Sequence, residues 1–153
     1  MLKEMGKEIV APEYVYKETV KEGKEKQLTD AVLIESLFNE AVIKSKKVTE
    51  RSWQVAKQKL GKELKIGDHS VISLALQINA KELLTDDDDL AKIAETLGIQ
   101  TISTPDIIFK QLKDKKIESS EFQNLIKDLV TKNRISLKVS EEYLKRGENI
   151  ENE

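Results

Sequence analysis

The sequence contains no cysteine and only one histidine, His69, among its 153 residues. The absence of cysteine excludes disulfide bonds, zinc fingers and catalysis by a thiol. A single histidine excludes metal sites built from several imidazole ligands. The chain has no apolar run long enough to cross a membrane, and its first residues, MLKEMGKEIV, do not resemble a signal peptide. We therefore expect a cytoplasmic protein without a membrane partner.

Several motifs that bind phosphate or metal are also missing. The sequence has neither a Gly-rich loop of Walker type nor a G-x-G-x-x-G fingerprint. Its run of aspartates is not an EF-hand loop, because Ala91 stands at the sixth position, where that loop requires glycine. A Ser-His-Asp triad would have to use His69, and no nucleophile-elbow sequence supports it. Carboxylates are the side chains that remain for metal-dependent chemistry.

The overall composition indicates a globular chain with a densely charged surface. Apolar residues make up 39% and charged residues 35% of the sequence, and the formal net charge is −2. This charge argues against nucleic-acid binding through bulk electrostatics, although it leaves room for a local basic surface. We expect one domain over residues 1–147, followed by a flexible C-terminal tail at 148–153.

Residues 66–102 alternate between the patterns of helices and strands. A helix with apolar side chains at helical spacing follows Asp68, which stands at the position of an N-cap. The apolar run at 83–85 is typical of a buried parallel strand. A second amphipathic helix ends at Gly98, and another strand is predicted at 101–103.

The same alternation extends through the rest of the chain. It predicts an α/β fold with a mostly parallel sheet and right-handed crossovers. In the helix predicted at 28–38, Val32 and Leu33 belong to the face expected to be buried. The other predicted strands lie near 8–10 and 41–44, and the other predicted helices lie near 12–22, 49–65, 104–112, 119–132 and 139–146.

Acidic residues stand at the points of this fold where ligands bind. Asp86 to Asp89 directly follow a predicted strand, and ligand sites in open α/β sheets lie at the carboxyl ends of strands. Hard cations such as Mg²⁺ and Mn²⁺ prefer oxygen ligands, and their usual work is phosphate chemistry. The helix dipole alone favours one or two aspartates at a helix start, but it explains four adjacent ones less well. Asp68 as a plain cap and Glu18 as a surface residue stay open as alternatives.

Four segments resemble the PIN-domain nucleases, in particular a prokaryotic branch related to toxins of toxin–antitoxin pairs. Their order and spacing match the family over nearly the whole chain. The segments are IVAPEYVYKETV, IGDHSVISLALQINA, LLTDDDDLAKIAETLGIQTIST and NRISLKVSEEYLKRGE. The resemblance implies a PIN-like three-layer α/β fold, in which helices flank a short, mostly parallel central sheet.

The resemblance also implies a function, namely endoribonuclease activity through metal-dependent hydrolysis of phosphodiester bonds in RNA. Glu18, Asp68 and Asp87 match the family's catalytic acidic positions. Thr85 matches a residue that orients a ligand. Mg²⁺ or Mn²⁺ would be the cofactor. The expected metal ligands are Glu18, Asp68, Asp86, Asp87 and Asp89.

One departure from the family pattern concerns the N-terminal region. The family begins with a central strand that ends in aspartate, whereas no aspartate precedes Asp30 here. We therefore expect the first strand and one metal carboxylate to be missing, which makes the carboxylate set incomplete. Another chain could supply that strand, so a homodimer stays open, as does an antitoxin partner. Two other functions also remain: a catalytically degenerate PIN-like module that binds RNA or a protein, and a metal-dependent phosphatase.

Overall fold

A computed structural model of the chain describes residues 1–151 and contains four short strands that alternate with helices. The chain divides into two units, Leu2–Lys81 and a second that begins at Glu82 and includes Met1. Each unit has its own sheet of two parallel strands. The α/β class and the parallel strand pairing predicted from the sequence are thereby confirmed.

The first unit begins with a short 3₁₀ turn, Leu2–Glu4. In its sheet, Ile9 of the first strand lies opposite Ile43 of the second. The strands are β1 (Ile9–Pro12) and β2 (Ile43–Lys46), and the helices are α1 (13–25), α2 (Ala31–Asn39), α3 (Glu50–Leu60) and α4 (Ile66–Gln77).

The middle of α1 is a π-helix. Glu13–Tyr16 and Gly23–Glu25 are α-helical, whereas Lys17–Glu22 between them is π-helical. The sequence predicts an ordinary helix that starts at Pro12, but Pro12 ends β1, where its fixed backbone torsion suits an extended chain. Short π-helical insertions are frequent at functional sites, and this one carries Glu18.

The orientation of α2 differs from the prediction. Val32 and Leu33 were expected on the buried face, yet 63% and 65% of their surfaces are exposed. The buried residue is Ala31, because α2 approaches α1 closely at Gly23, where an added Cβ would lie 3.0 Å from Cβ of Ala31. This small-residue contact fixes the rotation of α2 and turns Val32 and Leu33 outward.

The most buried helix of the first unit is α4. Ile72, Leu74 and Ala75 are buried, and so are His69 and two serines of the same helix. Burial on several sides is typical of a helix in the interior of a fold. The helix begins at Ile66, two residues before the predicted cap, so Asp68 lies within the first turn and does not cap it.

The second unit repeats the alternation of strand and helix before ending in three helices. Glu82 lies opposite Gln100 in its sheet, and Gly98 ends the helix between the two strands with a left-handed φ of +75°. The strands are β3 (Glu82–Leu84) and β4 (Gln100–Ile102), and the helices are α5 (Asp88–Thr96), α6 (Thr104–Lys113), α7 (Ser119–Thr131) and α8 (Leu137–Glu151).

The three final helices form the core of the second unit around Phe122, whose exposed fraction is 1%. Gly147 of α8 faces this ring so closely that an added Cβ would lie 2.5 Å from Cε1 of Phe122. The helix continues through Glu151, so residues 148–151 of the predicted tail are helical, while 152 and 153 lie outside the described residues. The single domain over 1–147 stays a prediction.

Candidate functional site

The chain leaves β3 through Thr85 and Asp86 before α5 begins. The backbone N–H of Thr85 donates to the carbonyl of Ile102 across 3.1 Å, which extends the strand pairing by one residue. The Thr85 hydroxyl accepts from the backbone N–H of Asp87 at 3.1 Å. Thr85 therefore shapes the turn that carries the aspartates, and its role in orienting a ligand stays a prediction.

Asp87 is the N-cap of α5. Its Oδ1 accepts from the backbone N–H groups of Asp89 and Leu90, at 2.9 and 2.8 Å. Its Oδ2 makes no hydrogen bond among the described residues, and the side chain is exposed. One oxygen thus satisfies the helix end, as a cap should. The other oxygen is available to an external ligand.

The neighbouring aspartates have different surroundings. Asp86 accepts from both the backbone N–H and the hydroxyl of Thr104, each at 2.6 Å, so both of its oxygens hold the start of α6. Asp89 is exposed and lies 3.7 Å from the ammonium group of Lys92. These contacts explain why acidic residues stand here, and metal binding by Asp86 and Asp89 stays a prediction.

The start of α6 carries a half-buried hydrogen-bond network that the sequence analysis did not predict. Ser103 caps the helix in a capping box with Asp106, whose Oδ2 accepts from the Ser103 N–H at 2.9 Å and from its hydroxyl at 2.7 Å. Tyr143 of α8 donates to the other oxygen of Asp106. The Ser-x-x-Asp spacing signalled the box, but the tyrosine contact spans 37 residues and has no local signal.

The ionisation of this network follows from its contacts. Burial alone would raise the pKa of Asp106, but hydrogen bonds from Tyr143 and Ser103 and the charge of Arg146 outweigh it and lower that pKa. Burial raises the pKa of Tyr143, and its bond to the Asp106 carboxylate raises it further. The pair therefore favours a carboxylate and a neutral phenol.

In the first unit, Glu18 lies against the first turn of α4. A Cβ built on Gly67 would lie 3.6 Å from Oε2 of Glu18 and 3.6 Å from the ring of Tyr14, so both side chains lie beside the backbone of this turn. Asp68 follows Gly67 in the same turn and is half-buried. The structure thus brings Glu18 to the helix start that carries Asp68, where the helix dipole favours negative charge.

His69 is a buried residue of the first unit and neither lies at the surface nor caps a helix. It is 5% exposed, and its ring stacks on Trp53 with centroids 4.0 Å apart and planes 3° from parallel. Its Nε2–H donates to the backbone carbonyl of Trp53 at 3.1 Å. These contacts use the imidazole in packing against Trp53.

Two lysines of α1 and one of β2 line a common cavity in the first unit. A cavity of about 820 Å³ is lined by Lys17, Lys21 and Lys44, with Tyr16 and Phe38 in edge-to-face contact at 4.9 Å in its wall. We call these five residues, with the cavity they line, the lysine cleft. Lys44 pairs with Glu8 at 3.4 Å and Glu13 belongs to the same lining, so Lys17 and Lys21 are the cations of the cleft that form no ion pair among the described residues.

The oxygen donors in each unit suit a hard cation in chemical type. In the first unit they are the carboxylates of Glu18 and Asp68, and in the second the Oδ2 atom of Asp87. Within the described residues, neither unit brings three or more histidine, aspartate or glutamate side chains close enough together to hold a metal ion. The donors thus fit Mg²⁺ or Mn²⁺ in chemical type, whereas the described residues of neither unit assemble a three-ligand site.

Comparison with known families identifies the fold. A family model described as a PIN domain matches residues 1–149. The chain belongs to the PIN-domain family. The PIN-like fold expected from the four segments is therefore confirmed, and with it a nuclease-type fold. PIN domains generally depend on divalent metal ions, and their fold suggests nucleic-acid binding.

A search of the curated proteins finds no match. Among residues 1–151, no helix combines the length and the apolar character that a membrane-spanning segment requires.

Proposed function

We propose that this PIN domain is a metal-dependent endoribonuclease that hydrolyses phosphodiester bonds in RNA. The observation that carries the proposal is the family match over residues 1–149. The half-buried Asp68 at the start of α4 and the exposed Asp87 at the start of α5 support it, because oxygen ligands of this kind suit Mg²⁺ and Mn²⁺. A divalent ion bound there would activate water and stabilise the charge that develops on the leaving oxygen.

In this proposal, Glu18, Asp68 and Asp87 are the catalytic metal ligands. Asp87 contributes Oδ2, because its Oδ1 is fixed by two backbone N–H groups of α5. That fixation holds the free oxygen in one position before any ligand arrives, which lowers the entropic cost of binding. Thr85 supports this position by accepting the N–H of Asp87. Asp86 and Asp89 remain flanking candidates for the same role.

The lysine cleft supports RNA as the substrate. Lys17 and Lys21 are four residues apart on α1, and neither forms an ion pair among the described residues, so both ammonium groups are available to phosphates. Glu18 is the neighbour of Lys17 in the same π-helical segment. Glu18 does not itself line the cleft, but the cleft and this proposed metal ligand share one helix. Single-stranded nucleic acids bind such combinations of basic and aromatic side chains.

A non-catalytic PIN-like module that binds a partner is the second candidate. The exposed apolar pair Val32 and Leu33 on α2 favours it, since such surface suits a protein contact. A toxin-type role with an antitoxin, or a homodimer, would use surface of this kind. The two candidates differ in one measurable property, which is cleavage of RNA in the presence of Mg²⁺ or Mn²⁺.

The deciding experiment compares Asp87→Asn with Asp88→Asn in a cleavage assay on labelled RNA. Asparagine caps a helix about as well as aspartate, so Asp87→Asn should stay folded while losing the charge on Oδ2. We expect it to lose cleavage by a factor of about 100 or more, since metal-ligand charge acts directly on the reaction. Asp88 is exposed and serves as the matched control, with cleavage close to wild type.

Two outcomes would count against the nuclease proposal. If the wild-type chain cleaves no RNA with either cation, the non-catalytic module becomes the better account. If Asp87→Asn cleaves at the wild-type rate, the measured activity arises at another site. Chelation of the divalent ion with EDTA should abolish cleavage in every variant that shows it.

A further inference from the structure

A second cavity in the first unit lies at the start of α3. Its volume is about 760 Å³, within the range of pockets that hold small ligands. Trp53 and Gln54 form part of its wall, and the segment 47–50 forms the rest. We call it the tryptophan pocket. It uses none of the acidic residues proposed to bind metal.

Trp53 is held rigidly in this wall. The parallel stack on His69 covers one face of the indole, so a ligand in the pocket meets the opposite face or the edge. His69 is buried, and its Nε2–H donates a hydrogen bond to the Trp53 carbonyl. A ring fixed in this way loses little further freedom when a ligand stacks on it.

The facing segment is fixed by α4 as well. The side chain of Gln77 accepts from the Thr49 N–H at 2.8 Å and donates to the Lys47 carbonyl at 3.1 Å. Thr49 in turn caps α3 by accepting the N–H of Ser52 at 3.1 Å. The residues that fix both walls, His69 and Gln77, come from the same helix, so the pocket is formed before any ligand binds.

We propose that the tryptophan pocket binds one base of single-stranded RNA by stacking on Trp53. The exposed amide of Gln54 offers a donor and an acceptor to the edge of the base. Lys47 is matched in the pocket by Glu50 of opposite charge, so the binding rests on stacking and hydrogen bonds more than on charge. The choice of RNA as the ligand rests on the proposed function, whereas the stacking and hydrogen bonding rest on the pocket itself.

The test uses the single tryptophan of the chain as its own probe. A short single-stranded oligoadenylate is titrated into the wild-type protein in EDTA, and Trp53 fluorescence is followed. An abasic oligomer of the same length is the control ligand. We expect saturable quenching by the oligoadenylate and little by the abasic oligomer. Equal quenching by both would show phosphate binding without a base and would overturn the proposal.

Variants then test the individual contacts by fluorescence anisotropy of labelled oligoadenylate, again in EDTA. Trp53→Leu should weaken binding about 5-fold or more, the usual effect of losing one stacked base. Gln54→Ala should also weaken it, and because Gln54 is exposed this variant keeps the fold even if Trp53→Leu does not. Gln58→Ala, an exposed change on the same helix outside the pocket, is the control. Unchanged affinity in Trp53→Leu and Gln54→Ala would overturn the proposal.

The design separates this inference from the nuclease proposal. All binding is measured without divalent ions. A chain that never cleaves RNA can therefore still show base-dependent quenching. That combination would support base binding in the tryptophan pocket and count against the nuclease proposal. Conversely, both pocket variants could cleave RNA and bind oligoadenylate as the wild type does. That result would support the nuclease proposal and overturn the proposal for the tryptophan pocket.

Discussion

Tyr143 donates its hydroxyl to Oδ1 of Asp106 across 2.5 Å, which joins α8 to the first turn of α6. The same carboxylate completes the capping box with Ser103 through its other oxygen. Each oxygen of Asp106 therefore connects a different part of the second unit. Arg146 adds to this arrangement by lying over the Phe109 and Tyr143 rings, 4.2 and 4.8 Å from their centroids.

Tyr143→Phe should destabilise the protein by about 1.5–3 kcal/mol at neutral pH, toward the lower value because the pair is half-buried. The change removes a hydrogen bond to a charged group and retains the ring that packs near Phe109. Urea denaturation measures the free energy of unfolding. Gln123→Ala changes a half-buried polar residue of α7 and is the control for how much any such substitution lowers the stability of this unit. A free energy equal to wild type would contradict the stabilising role.

The same pair predicts a dependence of stability on pH. The pKa of Asp106 is lowered by folding, so its contribution is present above its unfolded pKa of about 3.9 and is lost as pH falls through the folded value. The pKa of Tyr143 is raised, so its contribution is present below about 10 and is lost as pH rises through the folded value. Denaturation of wild type and Tyr143→Phe should therefore differ most between these limits, and a constant difference across all pH would contradict this account.

Two glycines should respond to alanine with opposite signs. At Gly147, the new Cβ would lie 2.5 Å from the fully buried Phe122 ring, so Gly147→Ala should cost about 1–3 kcal/mol through overpacking. At Gly67, the nearest atoms lie at an ordinary contact distance of 3.6 Å, so Gly67→Ala should stabilise the helix by about 0.5 kcal/mol. Thermal unfolding of the two variants measures both effects. Similar melting temperatures for the two would contradict the packing at Phe122.

The lysine cleft makes a prediction about salt. The double variant Lys17→Gln and Lys21→Gln should bind single-stranded RNA more weakly, and the slope of log affinity against log salt should flatten by about 1.4, or about 0.7 for each lost phosphate contact. Anisotropy in EDTA at several salt concentrations gives the slope. The exposed pair Lys57 and Lys59, changed in the same way, is the charge-matched control. An equal effect of both double variants would mean that only the net charge of the chain matters.

A single cooperative domain predicts that probes of the two units change together. Trp53 reports on the unit Leu2–Lys81, whereas helical ellipticity reports on both units. We expect coincident unfolding curves, because an isolated sheet of two strands is marginally stable and one family model spans both units. A second ellipticity step after the fluorescence change is complete would show that the units unfold independently.

Local patterns predicted the strands well, since their apolar runs and flanking turn residues are adjacent in sequence. The run at 83–85, for example, corresponds to β3 at Glu82–Leu84. Features that depend on distant partners were not predictable. His69 is buried because Trp53, 16 residues earlier, stacks on it. Val32 and Leu33 face outward because α2 is rotated by a contact with Gly23, which helical periodicity does not reveal.

The acidic residues show the same limit within the candidate site. The sequence identified the Thr85 to Asp89 segment from its place after a strand, and the structure gives its members separate surroundings. Asp87 caps the helix that it precedes, which is a local contact. Asp86 instead holds Thr104, 18 residues later, and only the fold brings these two together. Composition and order could not distinguish two adjacent aspartates with such different partners.

The π-helical segment of α1 also limits how relatives of this chain can be aligned. A π-helical turn contains more residues than an α-helical turn, so a relative with one residue fewer between positions 17 and 22 could form α1 as a regular helix. Its flanking elements could keep their places while its acidic side chain moved around the helix axis. An alignment without a gap from Pro12 onward would then match Glu18 to a residue whose side chain points in a different direction. Insertions and deletions at this segment therefore have to be placed by structure.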